Sequence, residues 1–424
     1  MSPGPESPEY EIFTFPNQIR LVHKQVPNTR IVHCGFILDI GSRDEQPDQL
    51  GIAHFWEHMA FKGTEKRKAF HIINRLEILG GEINAYTTKE KIAFHASLLA
   101  THFEKAVDLL TDISFFSVFP EKEIQKEKNV ILEEMSMYRD TPDDAILDEF
   151  DGLLFPNHPL GNNILGTEQS VSGFQRENFL RFLSENLNTS RLVFSCVGPF
   201  DMKTALRIAG PFLEKAPMAN GKTDRQIPGP LEPKVVRLEK PGQQAHLMLG
   251  CRAMPLSDPT RLPFFLLNNI LGGPALNSRL NLSLREKFGL VYTVESSYAP
   301  YLDTGAFHIY LGSELANLEK ARLLVEKEIR NLYSNPLSPT QLKNAKEQMK
   351  GQLAMAEEGN QMHMLMLGKS ILDMGRVESL AEIFQAIDKI DIQTIQEVAR
   401  LAWDHNNWVR LEYHPEKTRS RKAG

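Results

Sequence analysis

An internal repeat constrains this chain more than any other feature. Ala93-Phe94-His95 returns as Ala306-Phe307-His308, 213 residues further on. His33 and His246, each inside an alternating apolar stretch, stand at the same 213-residue spacing. Two landmarks at one offset, both in strand-like surroundings, imply two halves of about 210 residues built on one plan. A chain of 424 residues accommodates both, each long enough to bury a core of its own. Between them Pro217, Gly221, Pro228, Gly229, Pro230 and Pro233 break up residues 216–233, which suits an extended linker. The expected organisation is a first half at 1–215, a linker at 216–235 and a second half at 236–424.

Each half mixes element types. Tyr10–Thr14, Ile19–Gln25, Ile31–Ile40 and residues 92–99 alternate like strands, and Pro16-Asn17 signals a hairpin. Apolar residues recur at helical spacing over about 50–61, 68–79, 102–115 and 121–139. Helices clustered between strands, without regular β-α-β alternation, predict an α+β class. The sheet in each half should be mainly antiparallel, with helices on one face.

Composition removes several function classes. Lys plus Arg number 48 against 54 Asp plus Glu, a net charge of -6. No basic excess is available to neutralise phosphates, so nucleic acid is not an expected partner. No apolar run reaches the ~20 residues of a membrane helix, so no membrane partner is expected either. The first ten residues show neither an apolar signal core nor an Arg-rich amphipathic stretch. Cys34, Cys196 and Cys251 are odd in number and far apart, which argues for a reducing compartment and no disulfide framework. The expectation is a cytoplasmic globular protein. Cys196, in the apparent buried strand LVFSCVG, has no base near it in sequence to mark a nucleophile.

The chemistry concentrates at His54-Phe55-Trp56-Glu57-His58. Histidines four apart on a helix project from one face, one turn above the other, and can share a metal ion. Glu57 flanks that face, close enough to touch a water beside the metal without being a ligand. H-x-x-E-H is the inverse of the H-E-x-x-H zinc peptidase signature. Two core or surface histidines at this spacing by coincidence is the competing explanation.

A catalytic zinc takes three protein ligands, and the segment 121–140 offers the third. With Ile131 as the inward reference, Ile124, Met135 and Tyr138 share its stripe at about 100° per residue. Glu127 lies about 40° away and Glu134 about 60°, whereas Glu133 points about 200° away. Acids on an apolar stripe need a cation, either a metal or a structural Lys or Arg.

These motifs together resemble the pitrilysin/insulinase family of inverted-zincin metallopeptidases, especially short members similar to the mitochondrial processing peptidase. In that family H-x-x-E-H is followed about 75 residues later by a ligand Glu, with another acid seven residues before it. Glu134 and Glu127 stand at those positions. The resemblance implies His54, His58 and Glu134 as ligands of one Zn2+ per chain, Glu57 as base and Glu127 as a supporting acid. It also implies that Asn84, Ala85 and Tyr86 lie on a strand that pairs with substrate backbone. Arg285 and Tyr292, seven apart in LGGPALNSRLNLSLREKFGLVYTV, match a pair that faces the zinc in that family, and are otherwise an ordinary helix Arg and strand Tyr. The repeat offset sends His54 to Leu267 and His58 to Leu271, so the second half should hold no metal.

What the resemblance implies is a zinc endopeptidase for peptides or unstructured polypeptide segments, working as a homodimer inside a clamshell chamber. Glu57 would take the proton as water adds to the scissile carbonyl. A non-catalytic scaffold or peptide-binding subunit of the same fold is the alternative. The isolated His71, His95, His102, His308 and His363 read as satisfied polar residues. Met-His-Met-Leu-Met-Leu at 362–367 reads as core, and the basic tail 417–424 as a solvated terminus.

Overall fold

The computed structural model describes residues 10–403 and 407–416, so the basic tail and most of the opening segment lie outside the described residues. Eleven strands are described: β1 (Glu11–Thr14), β2 (Arg20–Gln25), β3 (Ile31–Leu38), β4 (Glu82–Thr87), β5 (Ile92–Leu99), β6 (Leu192–Gly198), β7 (Lys234–Lys240), β8 (Ala245–Ala253), β9 (Val291–Pro300), β10 (Gly305–Ser313) and β11 (Val409–Pro415). They form two sheets, ordered β1-β2-β6-β3-β5-β4 and β7-β11-β8-β10-β9. Apart from the extra β1, the orders correspond strand for strand. In each sheet one pair is parallel, β2 with β6 and β7 with β11, and the rest are antiparallel. The 213-residue offset carries β3 onto β8 and β5 onto β10, so the α+β class and the two-plan organisation hold.

The compact units are not contiguous stretches of sequence. The first comprises residues 1–135, 162–226 and 354–379, the second 136–161, 227–353 and 380–424. The passage at 226/227 falls inside the expected linker. The other crossings exchange one helix each way. Helix Pro142–Leu154 belongs to the second unit and helix Asn360–Met374 to the first, and the two lie at corresponding positions of the repeat.

Strand burial explains the exchange. Every residue of β6 is buried, as in a sheet covered on both faces. In the first unit Phe36, Phe94 and Phe194 face the main core with Phe55 and Trp56. Val22, Ile37, Ala93, Val193 and Val197 face the other way, onto Met364, Leu365, Leu367 and Ile371. Burying those four side chains is worth about 6–12 kcal/mol in total, comparable to the whole stability of a typical domain. Gly368 permits the approach, because a Cβ there would come within 2.5 Å of the Ile37 Cδ1. In the second unit Ile146, Phe150 and Leu154 play the same part against Met248, Tyr310, Leu411 and Tyr413. Helices on one face therefore describe most of each half, and the exchanged helix covers the other.

The linker is extended but gripped. Arg225 bonds the carboxylates of Asp39 (2.8 Å) and Asp44 (2.7 Å) in the first unit. These carboxylates hold the guanidinium well above its ordinary pKa, against the opposing effect of burial.

Candidate metal centre

The two histidines sit on helix Ile52–Ala60, whose seat is fixed at its start. Gly51 has φ of 90°, and a Cβ there would meet the Leu165 carbonyl at 2.4 Å, so this turn requires glycine. The buried carboxylate of Glu45 accepts hydrogen bonds from the Gly51 and Ala53 backbone N–H groups at 2.8 and 3.0 Å. It thereby satisfies two donors at the helix N-terminus. Phe55 and Trp56 are fully buried, which turns His54 and His58 together toward the site.

The helix carrying Glu134 runs from Glu121 to Asp140 without a break. Its inward stripe is as expected at Ile124, Glu127, Ile131 and Met135, all buried, with Glu134 half-buried and Glu133 exposed. Tyr138 departs from the expectation and is 36% exposed; its neighbours over 136–140 are exposed too, past the last buried position at Met135.

Across the gap, the His58 Nε2 lies 3.6 Å and the His54 Nε2 3.8 Å from Glu134 Oε2. One donor atom from each residue fits within 4.8 Å of the others, the one such cluster found among the described residues. Donors held ~2.0–2.2 Å from a tetrahedral zinc stand about 3.3–3.5 Å apart, so the two His–Glu134 separations are within a few tenths of an ångström of that spacing. Burial, with His58 adding to it, pushes the His54 imidazole down to about 3, so it is neutral and able to ligate. Burial also raises the Glu134 carboxyl, opposed by His58. Among the described residues no Lys or Arg is paired with Glu134, so the structural ion-pair explanation does not serve it there. Glu127 differs. It accepts from the His58 Nδ1 at 3.1 Å, and the Lys62 ammonium lies 2.7 Å from its other oxygen. Burial alone would raise its carboxyl, but these two partners outweigh that and lower it. The site thus holds two acids with two different answers to the same need.

Glu57 is next to this group and outside it. The Thr87 hydroxyl donates to its Oε2 at 2.6 Å. Burial raises the Glu57 carboxyl, with Thr87 and His58 acting against that. Thr87 ends β4, whose one partner strand among the described residues is β5, with Asn84 opposite His95 and Tyr86 opposite Ala93. Among the described residues β4 is therefore the edge strand of its sheet, and it carries Asn84, Ala85 and Tyr86. The ammonium of Lys369, on the exchanged helix, lies 5.0 Å from the centre of the Tyr86 ring.

In the second unit Arg285 sits on a π-helical segment, Asn281–Lys287, and Tyr292 follows at the start of β9, 79% exposed. Both line one cavity of about 270 Å³ together with Asn281, Thr293 and Glu295. The wide turn is a feature the sequence pattern did not announce, and such turns recur at functional sites. Leu267 and Leu271, the repeat equivalents of His54 and His58, are buried in the second unit's core. Sequence reasoning missed Lys62 and Thr87. Lys62 could have been found, since it follows His58 by the same four residues that separate His58 from His54.

Residues 20–168 match the family described as Insulinase (Peptidase family M16), and residues 173–349 match the Peptidase M16 inactive domain. An uncharacterized zinc protease of Bacillus subtilis, YmxG, is 34% identical over 92% of this chain and 94% of its own length. The chain belongs to the M16 (insulinase) peptidase family. An uncharacterized zinc protease of Streptomyces coelicolor is 30% identical over 91% of this chain and 86% of its own. A peptidase M16 inactive domain from Pseudomonas fluorescens superposes with a TM-score of 0.89 at 19% identity, covering 96% of this chain and 98% of that one. A protease from Helicobacter pylori gives 0.87 at 18%, covering 96% and 100%. These likenesses establish the fold, and family membership supports a peptidase role. No described helix is long and apolar enough to cross a membrane.

Proposed function

We propose that this M16 chain is a zinc-dependent endopeptidase for peptides or unstructured polypeptide segments. One observation carries the reading. Two imidazoles and a carboxylate with no Lys or Arg partner among the described residues converge as a group that could hold a metal ion, with a second carboxylate, Glu57, held beside them and outside the donor set. Zinc, when bound, supplies a Lewis acid that polarises a carbonyl and lowers the pKa of water. Glu57 accepts the proton of that water as it adds to the scissile carbonyl, then returns it to the departing amine. The Thr87 hydroxyl keeps one Glu57 oxygen occupied and the other available. β4 aligns an extended peptide through its free backbone groups, a mode that reads shape more than side chains. Arg285 and Tyr292 are the donors for charge on the carbonyl oxygen.

Digestion of a mixed peptide library, with fragments read by mass spectrometry, tests this. Many fragments are expected, none in the presence of a strong chelator, and recovery on adding back zinc. Identical fragment patterns with and without chelator would sink the zinc reading. Zinc uptake with no cleavage of any peptide would favour a scaffold.

The assembly is a symmetric homodimer closing on a chamber, in which Arg285 and Tyr292 of one chain serve the zinc site of the other. Mixing decides it. A Glu57→Gln chain combined with an Arg285→Ala/Tyr292→Phe chain should regain activity, since one complete site forms per mixed dimer. Subunits that exchange while the mixture stays inactive would exclude the shared site.

A further inference from the structure

The donors are not equally supported from behind. The His58 Nδ1 has the Glu127 carboxylate at 3.1 Å, while the His54 Nδ1 is buried and without a hydrogen-bond partner among the described residues. His54 is fixed by packing, at 8% exposure. His58 is more open, and its ring plane depends on what its Nδ1 bonds. The Glu127 carboxylate could turn about its terminal torsion, which is broad and roughly two-fold in free side chains. It is stopped from doing so because its second oxygen lies 2.7 Å from the Lys62 ammonium. Lys62 comes just after the end of helix Ile52–Ala60, and its N–H donates to the Met59 carbonyl at 3.0 Å. The lysine and the histidine it steadies are thus one helical turn apart in a single rigid segment, with Glu127 bridging them from the other helix.

We propose that Lys62 is a positioning residue of the metal centre, clamping Glu127 so that its carboxylate holds the His58 Nδ1–H and leaves Nε2 directed at the metal. Lys62 touches neither substrate nor metal. It acts through Glu127 and then through His58, so its loss should appear as weaker metal binding. The inference rests on the zinc-peptidase reading above. Outer partners of this kind are worth roughly 10–100-fold in metal affinity.

The test is zinc binding by the full-length, metal-stripped chain, measured by competition with a chromophoric chelator. Lys62→Met should bind about 10–100-fold more weakly than wild type, with the thermal unfolding of the metal-free chain unchanged. Lys62→Arg, which keeps the cation, should restore most of the affinity, and Lys62→Gln, should Met fold poorly, should behave as Met does. Lys62→Met added to Glu127→Gln should cost nothing beyond Glu127→Gln alone, because the two act in series. Wild-type affinity in both Lys62→Met and Lys62→Gln, or losses that add in the double variant, would overturn the clamp and leave the zinc reading standing. A wild-type chain that takes up no zinc would overturn the peptidase reading, and the clamp with it.

Discussion

Glu57→Gln is expected to abolish peptide hydrolysis while zinc content stays at the wild-type level. The carboxylate lies beside the candidate ligand group and accepts a hydrogen bond from the Thr87 hydroxyl. The amide is isosteric and its oxygen can still accept from that hydroxyl. It cannot take a proton from water, so the loss should match the ~10²–10⁴-fold typical of general base catalysis. Steady-state rates and elemental analysis on the same preparation make the check. A variant retaining more than about a hundredth of wild-type turnover would assign the base to another residue, given that range. Parallel loss of zinc would make Glu57 a ligand.

Glu134→Gln is expected to remove tight zinc binding, and Glu133→Gln to leave it intact. The two positions are adjacent, yet Glu134 faces both histidines while Glu133 is exposed. An amide is a poor substitute for an anionic ligand, and a lost ligand should cost more than the roughly 10–100-fold of an outer partner. Zinc titration of the three metal-free chains reads this directly. Equal affinities for Glu133→Gln and Glu134→Gln would mean the helix presents a different face to the histidines.

Periodicity made the zinc-site half of this legible. An unbroken helix over Glu121–Asp140 lets a count of 100° per residue carry from Ile131 to Glu134 with little error. H-x-x-E-H declares itself through the same geometry. β4 was legible as a strand only through the family resemblance, because half-buried Ala85 and Tyr86 give no alternation that marks an edge. The grip on Arg225 was invisible, since its partners Asp39 and Asp44 lie about 180 residues away and one arginine among prolines carries no pattern. The exchange of helices was invisible for another reason. Helical spacing in residues 362–367 says that Met364 and Leu367 are buried, but not against which sheet. The burial of β6 on both faces, with apolar residues at nearly every position of LVFSCVG, was the available clue.

That exchange has a consequence for how the chain is made. The outer face of the first sheet, with Val22, Ile37 and Val193, is covered among the described residues mainly by Met364, Leu365, Leu367, Ile371 and Val377. The Ser195 hydroxyl waits 169 residues for the Met364 carbonyl, and the Arg20 guanidinium waits 351 for that of Ile371. At roughly 5–20 residues per second, 169 residues take about 10–30 s to emerge. Throughout that interval the β2–β6 part of the nascent chain can form a sheet but cannot cover it, so the first unit cannot finish folding while the second is still being synthesised. A newly made chain therefore presents an apolar β surface for seconds, which is the condition under which chaperones engage and aggregation competes.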